Sequence, residues 1–412
     1  MERREISFVA DVAHFIGTLF PPLAKLYRGP NHFGKGSIIT KRSITPSILV
    51  NATCIGQYPD GLAVYTRHIV FALVRTYHDW RFMVYVNRQG ADQLSDLASY
   101  SHVRLRTVTG RMAPEYGTIA HGIRWVFSQV LALRYPRSLF FAPSQLEIAL
   151  YHGCQMVTFH DLIPLRFPAE NRRQVLFYRY FFGTAVRRAA AVIVPSIHTG
   201  SELRKQYHAR TERVHVIHHG LPLHPQKIEA NLSSADPYIL YIGRLSPTKN
   251  IRGLIMAYQS IAHRIPHKLV IVGGGDRFRF HQMVSGGKSR VEFQGYVTPS
   301  RKLDMLRKAD VFVFPSFDEG FGFPPLEAMA CGCPVVVACA GSLPEICGAA
   351  AYYVDPYDPK NIAEGIYRVV IDRNIRSALI EKGFHHIQQF HWSDSVRHHA
   401  DVISSVFSRR ST

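Results

Sequence analysis

The chain has 412 residues, enough for two or three domains, and 47% of them are hydrophobic while 19% are charged. This composition excludes a disordered or fibrous chain and suits a globular protein with full hydrophobic cores. The net charge of +19 is unusual, and residues 1–225 contribute most of it, with 27 Lys and Arg against 13 Asp and Glu. So basic a half indicates an anionic partner: nucleic acid, an acidic membrane surface or a phosphorylated acceptor.

Residues 1–45 match no motif that assigns them a role, and we interpret them as a leader before the first domain. Their apolar run, Phe8–Phe20, is interrupted by Asp11 and His14 and is too short and too polar to span a bilayer. We therefore expect neither a cleaved signal peptide nor a transmembrane helix, and a helix lying on the membrane interface stays open. The cysteine spacing demands no disulfides, which favours a reducing compartment.

From residue 46 onward, strand-like and helix-like segments alternate in two successive halves. In the first half, strands are predicted at 47–51, 82–86, 103–108, 139–142, 156–159, 191–195 and 214–217, and helices at 65–76, 122–133, 173–189 and 199–207. Residues 218–236 are rich in His, Gly, Pro, Ser and Asn, which predicts an interdomain linker. In the second half, strands are predicted at 238–242, 269–272, 291–293, 311–314 and 335–337, and helices at 251–263, 300–308, 326–331, 362–372 and 376–390.

Apolar strands separated by helices predict parallel sheets that are covered on both faces. The predicted fold class is therefore α/β, with two doubly wound, Rossmann-like domains that face a central cleft. We assign residues 46–225 to an N-terminal domain and residues 226–390 to a C-terminal domain. A last helix within residues 391–412 is expected to pack back toward the N-terminal domain.

The most informative segment reads Asp-Glu-Gly-Phe-Gly-Phe-Pro-Pro-Leu-Glu over residues 318–327. It follows a predicted strand and opens a predicted helix, whose first turn tolerates the two prolines. The free amides of residues 320–323 and the positive end of the helix would then face the cleft. This geometry suits a phosphorylated sugar, with the carboxylates of Glu319 and Glu327 accepting hydrogen bonds from hydroxyl groups. The alternative is an acidic loop that only caps the helix.

Arg244 and Lys249 follow the first strand of the second half and precede a helix. Two cations so placed form a compact clamp that would neutralise a diphosphate leaving group as its bond to a sugar breaks. The alternative is a pair of solvated cations at the start of a helix.

Three segments of the first half each allow two interpretations, one functional and one structural. His160 follows a predicted strand and either binds a sugar or acceptor hydroxyl group or is a loop histidine without a role. The loop between Gly56 and Gly61 either brings backbone amides to a phosphate or only connects a strand to a helix. Residues 172–188 mix arginines with aromatic residues, which suits either a helix bound at a membrane interface or a surface helix that packs its rings into its own domain.

No metal site is expected. The chain contains no Asp-x-Asp pair that would hold a metal ion on a nucleotide diphosphate. Four cysteines lie between Cys331 and Cys347 in an apolar run without paired C-x2-C spacing, so we predict small buried core residues rather than zinc ligands.

The ordered series Arg244-x4-Lys249, Glu319-x7-Glu327 and Met-Ala-Cys-Gly-Cys-Pro over residues 329–334 closely resembles the retaining glycosyltransferases of family 4, which have the GT-B fold. The resemblance is dense over residues 236–370 and thinner over residues 47–220. Thr-Phe-His-Asp-Leu-Ile-Pro at residues 158–164 is similar to the mannosyltransferase-type branch. A departure stands at residues 218–220, where His-His-Gly replaces the common Pro-Asn-Gly.

The resemblance implies a role for each matching position. Arg244 and Lys249 would hold the donor diphosphate, and Glu327 would bind the ribose. His160 would lie beside the anomeric centre of the sugar. The other implied contacts are those of Glu319, Gly320, Phe321 and Gly322 with sugar hydroxyl groups, of Gly61 and its loop with the phosphates, and of Tyr296 and Val297 with the base. His160, Arg244, Lys249 and Glu319 would be the catalytic residues.

The resemblance therefore predicts a retaining, metal-independent hexosyltransferase without a cofactor. Its nucleotide-sugar donor would be GDP-mannose, or a UDP-sugar as the alternative, and its acceptor would be a growing glycan linked to a lipid diphosphate. The basic half predicts a cytoplasmic protein, peripheral on the anionic inner face of the cytoplasmic membrane. Two alternatives belong to other functional classes: a nucleic-acid-binding protein and a non-catalytic nucleotide-sugar-binding protein. The chain contains no recognisable nucleic-acid-binding module that would support the first.

Overall fold

The computed structural model describes residues 46–57, 60–172, 174–221, 236–276, 278–284 and 290–411. Within them the strands form two parallel sheets with helices between successive strands. The predicted α/β class with two doubly wound domains is confirmed. The expectations for residues 1–45 lie outside the described residues.

The first sheet has seven strands in the order β3-β2-β1-β4-β5-β6-β7. Its strands are β1 Ser47–Asn51, β2 Arg81–Asn87, β3 Val103–Val108, β4 Leu139–Ala142, β5 Gln155–Thr158, β6 Ala191–Val194 and β7 Val214–Val216. The helices of this half are α1 Gly61–Thr76, α2 Gly117–Arg134, α3 Ile163–Arg166, α4 Gln174–Tyr180, α5 Phe182–Arg188 and α6 Ile197–Tyr207. The strand order reverses between β1 and β4, which opens a crevice at the carboxyl ends of these strands.

The second sheet has six strands in the order β10-β9-β8-β11-β12-β13. Its strands are β8 Tyr238–Ile242, β9 Lys268–Val272, β10 Val291–Gly295, β11 Val311–Phe314, β12 Val335–Ala338 and β13 Ala351–Val354. The helices are α7 Ile251–Ile261, α8 Phe278–Val284, α9 Pro299–Lys308, α10 Phe323–Ala330, α11 Leu343–Cys347, α12 Pro359–Ile371, α13 Arg373–His386 and α14 Trp392–Ser411. Here the order reverses between β8 and β11, the strands that precede Lys249 and Glu319.

The central strands are short apolar runs because helices cover both of their faces. Every residue of β6, β11 and β12 is buried, and Val, Ile and Phe dominate these strands. Each sheet therefore carries its own hydrophobic core.

Several predicted elements were wrong or missing. The single helix predicted at 173–189 is two helices, α4 and α5, which are interrupted at Phe181. Strand β13 and helices α8 and α11 were not predicted, since each is only four to seven residues long and shows little periodicity. Of the four cysteines between residues 331 and 347, three are buried as predicted, whereas Cys339 is exposed.

The chain passes between the two domains at two adjacent places. The amide of Leu221 donates to the carbonyl oxygen of Phe390 at 2.8 Å. Gly220 lies against Trp392, and a Cβ at this glycine would overlap the backbone and the ring of the tryptophan. Helix α14 then continues along the first domain, whose core includes its side chains Val396, Ala400, Ile403 and Val406.

Candidate active site

The carboxyl ends of the two sheets meet across a cleft. Ser196, which follows β6, donates a hydrogen bond from its Oγ to the carbonyl oxygen of Gly320 at 2.8 Å, and Thr199 does the same at 3.2 Å. Gly61, the first residue of α1, lies against the ring of Phe323, the first residue of α10. The amino-terminal ends of these two helices therefore lie close together at the cleft.

The loop from β11 to α10 has the predicted strand–turn–helix form. Gly322 precedes the helix with φ +107°, a conformation that favours glycine, and the two prolines occupy its first turn. Gly320 lies so close to the carbonyl oxygen of His160 that a Cβ would overlap it. In the described part of the chain, no acceptor receives a hydrogen bond from the amides of Gly320, Phe321 or Gly322. These amides are therefore available to an anion.

Lys249 and Glu319 form the central ion pair of the cleft. The lysine Nζ lies 2.6 Å from the glutamate Oε1, and the two side chains are only 19% and 11% exposed. Lys249 ends a 3-10 turn directly after β8, so the strand end positions its side chain. Arg244 is exposed and makes no ion pair with any described residue. The clamp predicted from the sequence is thus one paired lysine and one free arginine.

Glu327 lies one turn into α10, as predicted, and its carboxylate is also paired. Its Oε1 accepts a hydrogen bond from Nζ of Lys302 at 2.6 Å. Lys302 lies on α9, a helix that no sequence motif singled out. The paired carboxylate retains other lone pairs, which a ribose hydroxyl group can use.

Tyr296 and Val297 follow β10, the edge strand of the second sheet. Tyr296 is exposed, while Val297 packs against the core of its own domain. No contact described in the structure joins either residue to Lys249 or Glu319. Their assignment to the base of the donor stays a prediction.

His160 follows β5 and is held in one orientation. Its Nε2 lies 2.8 Å from the carbonyl oxygen of Pro143, so this nitrogen carries the proton and donates it. Burial lowers the pKa of His160 to about 4, which keeps the ring neutral at pH 7. Nδ1 is then a free acceptor within the described residues, and it suits a hydroxyl group in the cleft.

Asp161, which sequence reasoning did not single out, lies beside the central ion pair. Burial raises its pKa to about 6, and the charges of Asp318 and Glu319 add to this effect while Lys249 opposes it. One of its oxygens accepts a hydrogen bond from the amide of Ile163 at 3.1 Å. The only sequence signal was its position next to His160 at the end of a strand.

Two carboxylates of the second domain bind the first domain. Asp318 accepts from Arg166 at 3.0 Å and lies 3.2 Å from His198. Glu345 accepts from the amides of Ile197 and His198, at 2.8 and 3.1 Å. It therefore caps helix α6, which belongs to the other domain.

Glu345 also accepts a hydrogen bond from His218 at 2.9 Å. Burial alone would raise the pKa of this carboxyl group, but the hydrogen bonds from His218 and from the two helix amides outweigh burial and hold the pKa below its usual value. Asp318 and Glu345 together join the two domains at the cleft.

His219 shows that the predicted linker begins inside a packed cluster. Its ring is buried and lies 4.6 Å from Tyr65, 4.9 Å from Phe321 and 5.4 Å from Phe323. Phe321 is therefore turned toward the domain junction, and only its backbone faces the cleft. Tyr65 continues the cluster, since its hydroxyl group lies 2.8 Å from Nε2 of His399 on α14.

Three rings of α4 and α5 are directed into the first domain, whereas Tyr180 at the end of α4 is 62% exposed. Phe177, Tyr178 and Phe182 are buried, and Phe177 packs on Trp125 of α2. The structure therefore supports a surface segment that packs most of its aromatic residues inward, rather than rings inserted into a membrane.

No group of three or more His, Cys, Asp or Glu side chains among the described residues is arranged to hold a metal ion. Likewise, no helix in the described ranges has the length and apolar composition needed to cross a bilayer.

Comparison with known proteins agrees with this architecture. A family model described as Glycosyltransferase Family 4 matches residues 59–224, and one described as Glycosyl transferases group 1 matches residues 225–386. The O-antigen chain mannosyltransferase B of Escherichia coli is 30% identical over 271 residues, which are 62% of this chain and 70% of that protein. The O-antigen chain mannosyltransferase RfbU of Salmonella typhimurium is 29% identical over 256 residues, which are 60% of this chain and 70% of that protein.

Among solved structures, the sucrose-phosphate synthase of Thermosynechococcus elongatus superimposes with a TM-score of 0.69 at 20% identity, covering 88% of this chain and 100% of that one. At this identity the likeness concerns the fold alone. The two sheets, the cleft between them and the two family models that together span residues 59–386 lead to one assignment. The chain belongs to the glycosyltransferases of family 4 and has their GT-B fold.

Proposed function

We propose that this protein is a retaining hexosyltransferase that moves mannose from GDP-mannose to a growing, lipid-linked glycan. The observation that carries the proposal is the Lys249–Glu319 pair beside the unpaired amides that begin α10. A cation and free amides suit the phosphates of a sugar nucleotide, and a carboxylate suits its sugar hydroxyl groups. The two mannosyltransferase relatives favour mannose as the sugar.

Each side chain of the cleft then has a part in binding. Arg244 and Lys249 neutralise the diphosphate, and Lys249 shares its charge between the donor and Glu319. Glu319 and the backbone of residues 320–322 bind hydroxyl groups of the transferred sugar. Glu327, held in place by Lys302, accepts from the ribose. The loop that ends at Gly61 approaches the phosphates, and the loop at Tyr296 and Val297 contacts the base.

The transfer itself requires no protein nucleophile. The bond between the anomeric carbon and the phosphate oxygen breaks, while the acceptor oxygen forms a bond to the same face of that carbon. The acceptor proton passes to the departing phosphate oxygen, so the products are a nucleoside diphosphate and an elongated glycan. Arg244 and Lys249 stabilise the charge that develops on the leaving group, and the neutral His160 accepts a hydrogen bond from the sugar. We propose that these cations take the place of a metal ion.

The acceptor would lie on the first domain, which carries most of the positive charge. A glycan attached to a lipid diphosphate brings negative charge and a membrane anchor to the cleft. The relatives that act on O-antigen chains fit such an acceptor. We therefore propose peripheral binding to the inner face of the cytoplasmic membrane, with the lipid-linked glycan and the anionic lipids as partners.

Incubation with GDP-mannose, UDP-glucose and other nucleotide sugars, followed by measurement of released nucleoside diphosphate, tests the proposal. Release from GDP-mannose is expected, slowly by hydrolysis and faster with a lipid-linked acceptor. Release from a UDP-sugar instead would retain the hexosyltransferase and replace the donor. A donor that raises the melting temperature without any turnover in the presence of acceptors would show a binding protein and would refute the proposed transfer.

A further inference from the structure

Helix α2 carries large apolar residues on its outward side, where an ordinary surface helix carries polar ones. Its inward residues include Arg124 and Ser128, both fully buried. Its outward side carries Ile119 and Leu133, which are 67% and 76% exposed, with the partly exposed Val126 between them. A surface helix of a soluble domain normally directs its apolar stripe to the core and its polar residues to water.

The apolar stripe continues beyond the helix. Tyr151 is 75% exposed and borders a cavity of about 270 Å³ that Leu133 also lines. Residues 119, 126, 130 and 133 lie on one side of the helix, because they are seven, four and three residues apart. Together, Ile119, Val126, Val130, Leu133 and Tyr151 form a surface that we call the apolar face.

Arginines border the apolar face, and the segments that form it contain few carboxylates. The sequence has no Asp or Glu between Glu115 and Glu147 or between Glu170 and Glu202. Glu147 itself is buried, with Arg124 at 2.8 Å. Helices α4 and α5 pack beside α2 and contribute exposed arginines, and the guanidinium of one of them lies 4.5 Å above the ring of Tyr151. The exposed arginines at this rim are Arg134, next to Leu133 on α2, and Arg188, whose guanidinium lies above Tyr151.

We propose that the apolar face, with its rim of arginines, docks this protein on an anionic lipid bilayer. At its interface, an anionic bilayer presents acyl chains that the apolar stripe can contact and, beside them, negative headgroups that the arginines can bind. A nucleic acid would leave the apolar stripe in water. A second copy paired through the same face would bring arginines against arginines.

The position of the apolar face relates it to the cleft. Glu115, just before α2, accepts a hydrogen bond from the amide of Gln57 at 2.5 Å, in the loop between β1 and α1. The amino-terminal end of the stripe therefore begins beside the cleft, where an acceptor anchored in the same membrane would enter. This inference rests on the proposed membrane association, and it is independent of which sugar is transferred.

Flotation of the full chain with vesicles tests the inference. The wild-type protein should float with vesicles of phosphatidylcholine and phosphatidylglycerol at 3:1, and binding should fall when the salt is raised from 0.05 to 0.5 M, on the order of a tenfold change that screens the headgroup charges. Replacing Ile119 and Leu133 with Ser should lower the partition constant roughly tenfold or more, since two exposed side chains no longer enter the bilayer. Replacing Arg134 and Arg188 with Gln should lower it about 25-fold, at about fivefold for each arginine.

Matched variants on the second domain serve as controls. Met256→Ser with Ile371→Ser removes two exposed apolar residues there, and Arg252→Gln with Arg373→Gln removes two exposed arginines. All four double variants should release nucleoside diphosphate from a soluble donor like wild type, which shows that they are folded. If the variants of the apolar face bind vesicles as the controls do, the assignment of the face is refuted while membrane association stands. If wild type hydrolyses the donor but binds no vesicles, or forms a dimer that these variants abolish, membrane docking itself is refuted.

Discussion

Replacing Lys249 with Ala is the strongest test of the proposed donor site. Its ammonium group lies 2.6 Å from Glu319, with both side chains largely buried. A unit charge about 4 Å from another contributes on the order of 4 kcal/mol at the effective dielectric constant of about 20 that partly buried sites show. If about two thirds of this is realised only as the diphosphate departs, roughly 2.7 kcal/mol of transition-state stabilisation is lost. Lys249→Ala should then lower kcat/KM by about 10²-fold.

The assay is the initial rate of hexose transfer at donor concentrations far below KM, together with the melting temperature of each variant. Lys308→Ala is the matched control, because Lys308 is an exposed lysine paired with Asp304 on the surface of the same domain. It should remain within twofold of wild type. A Lys249→Ala protein that melts like wild type and retains kcat/KM within threefold would refute the role of Lys249.

Glu319→Gln separates the two proposed roles of the ion pair, which are sugar binding by Glu319 and diphosphate binding by Lys249. The substitution removes a hydrogen-bond acceptor for the sugar, and it also releases Lys249 from its competing carboxylate. We therefore expect hexose transfer to fall by 10-fold or more, on the order expected for a lost charged contact, while the free nucleoside diphosphate binds as tightly as to wild type or more tightly. Titration calorimetry and transfer rates measure the two effects. A parallel loss of both would contradict the shared charge of Lys249.

Three further predictions concern residues at the cleft. Gly320→Ala should abolish transfer without unfolding either domain, since its Cβ would overlap the carbonyl oxygen of His160. Circular dichroism checks the folding and initial rates check the transfer. Normal activity of the variant would contradict this contact. Burial raises the pKa of Asp161 to about 6, so its contribution to stability is present at low pH and is lost as the pH rises through about 6. The free energy of unfolding of Asp161→Asn in urea should therefore rise relative to that of wild type between pH 4 and 7, by on the order of 2 kcal/mol at pH 7. A difference between the two proteins that stays constant with pH would refute this. The pKa of Glu345 is lowered, so its contribution has the opposite sign: it is present at neutral pH and is lost as the pH falls through the lowered pKa of this carboxyl group. Glu345→Gln should lower the free energy of unfolding by about 1 kcal/mol at pH 7 and leave it unchanged at the lowest pH. An equal decrease at both pH values would show that the charge of Glu345 does not contribute to stability.

The resemblance to family 4 and the local patterns of the chain predicted much of the architecture. The strand at 311–314, the glycine turn and the tandem prolines predicted the loop that carries Glu319, because each of these signals acts within a few residues of the backbone. Likewise, the apolar runs predicted every strand of the first sheet. Short elements such as β13 were missed, since four residues carry too little periodicity to be recognised. The residues that bind the base stay a prediction, because backbone contacts leave no side-chain signature.

The sequence by itself determined the two parallel sheets, the family and the strand ends at which the candidate residues stand, because these follow from local pattern and motif spacing. Only the tertiary structure decided which groups meet. Glu345 caps a helix of the other domain, Lys302 holds Glu327, and His219 packs under the turn at Phe321. The outward direction of the apolar side of α2 was also decided there, since a helical pattern shows which residues share a face and not what that face meets. Such contacts join residues far apart in the chain, and their energies depend on burial and distance, which spacing alone does not contain.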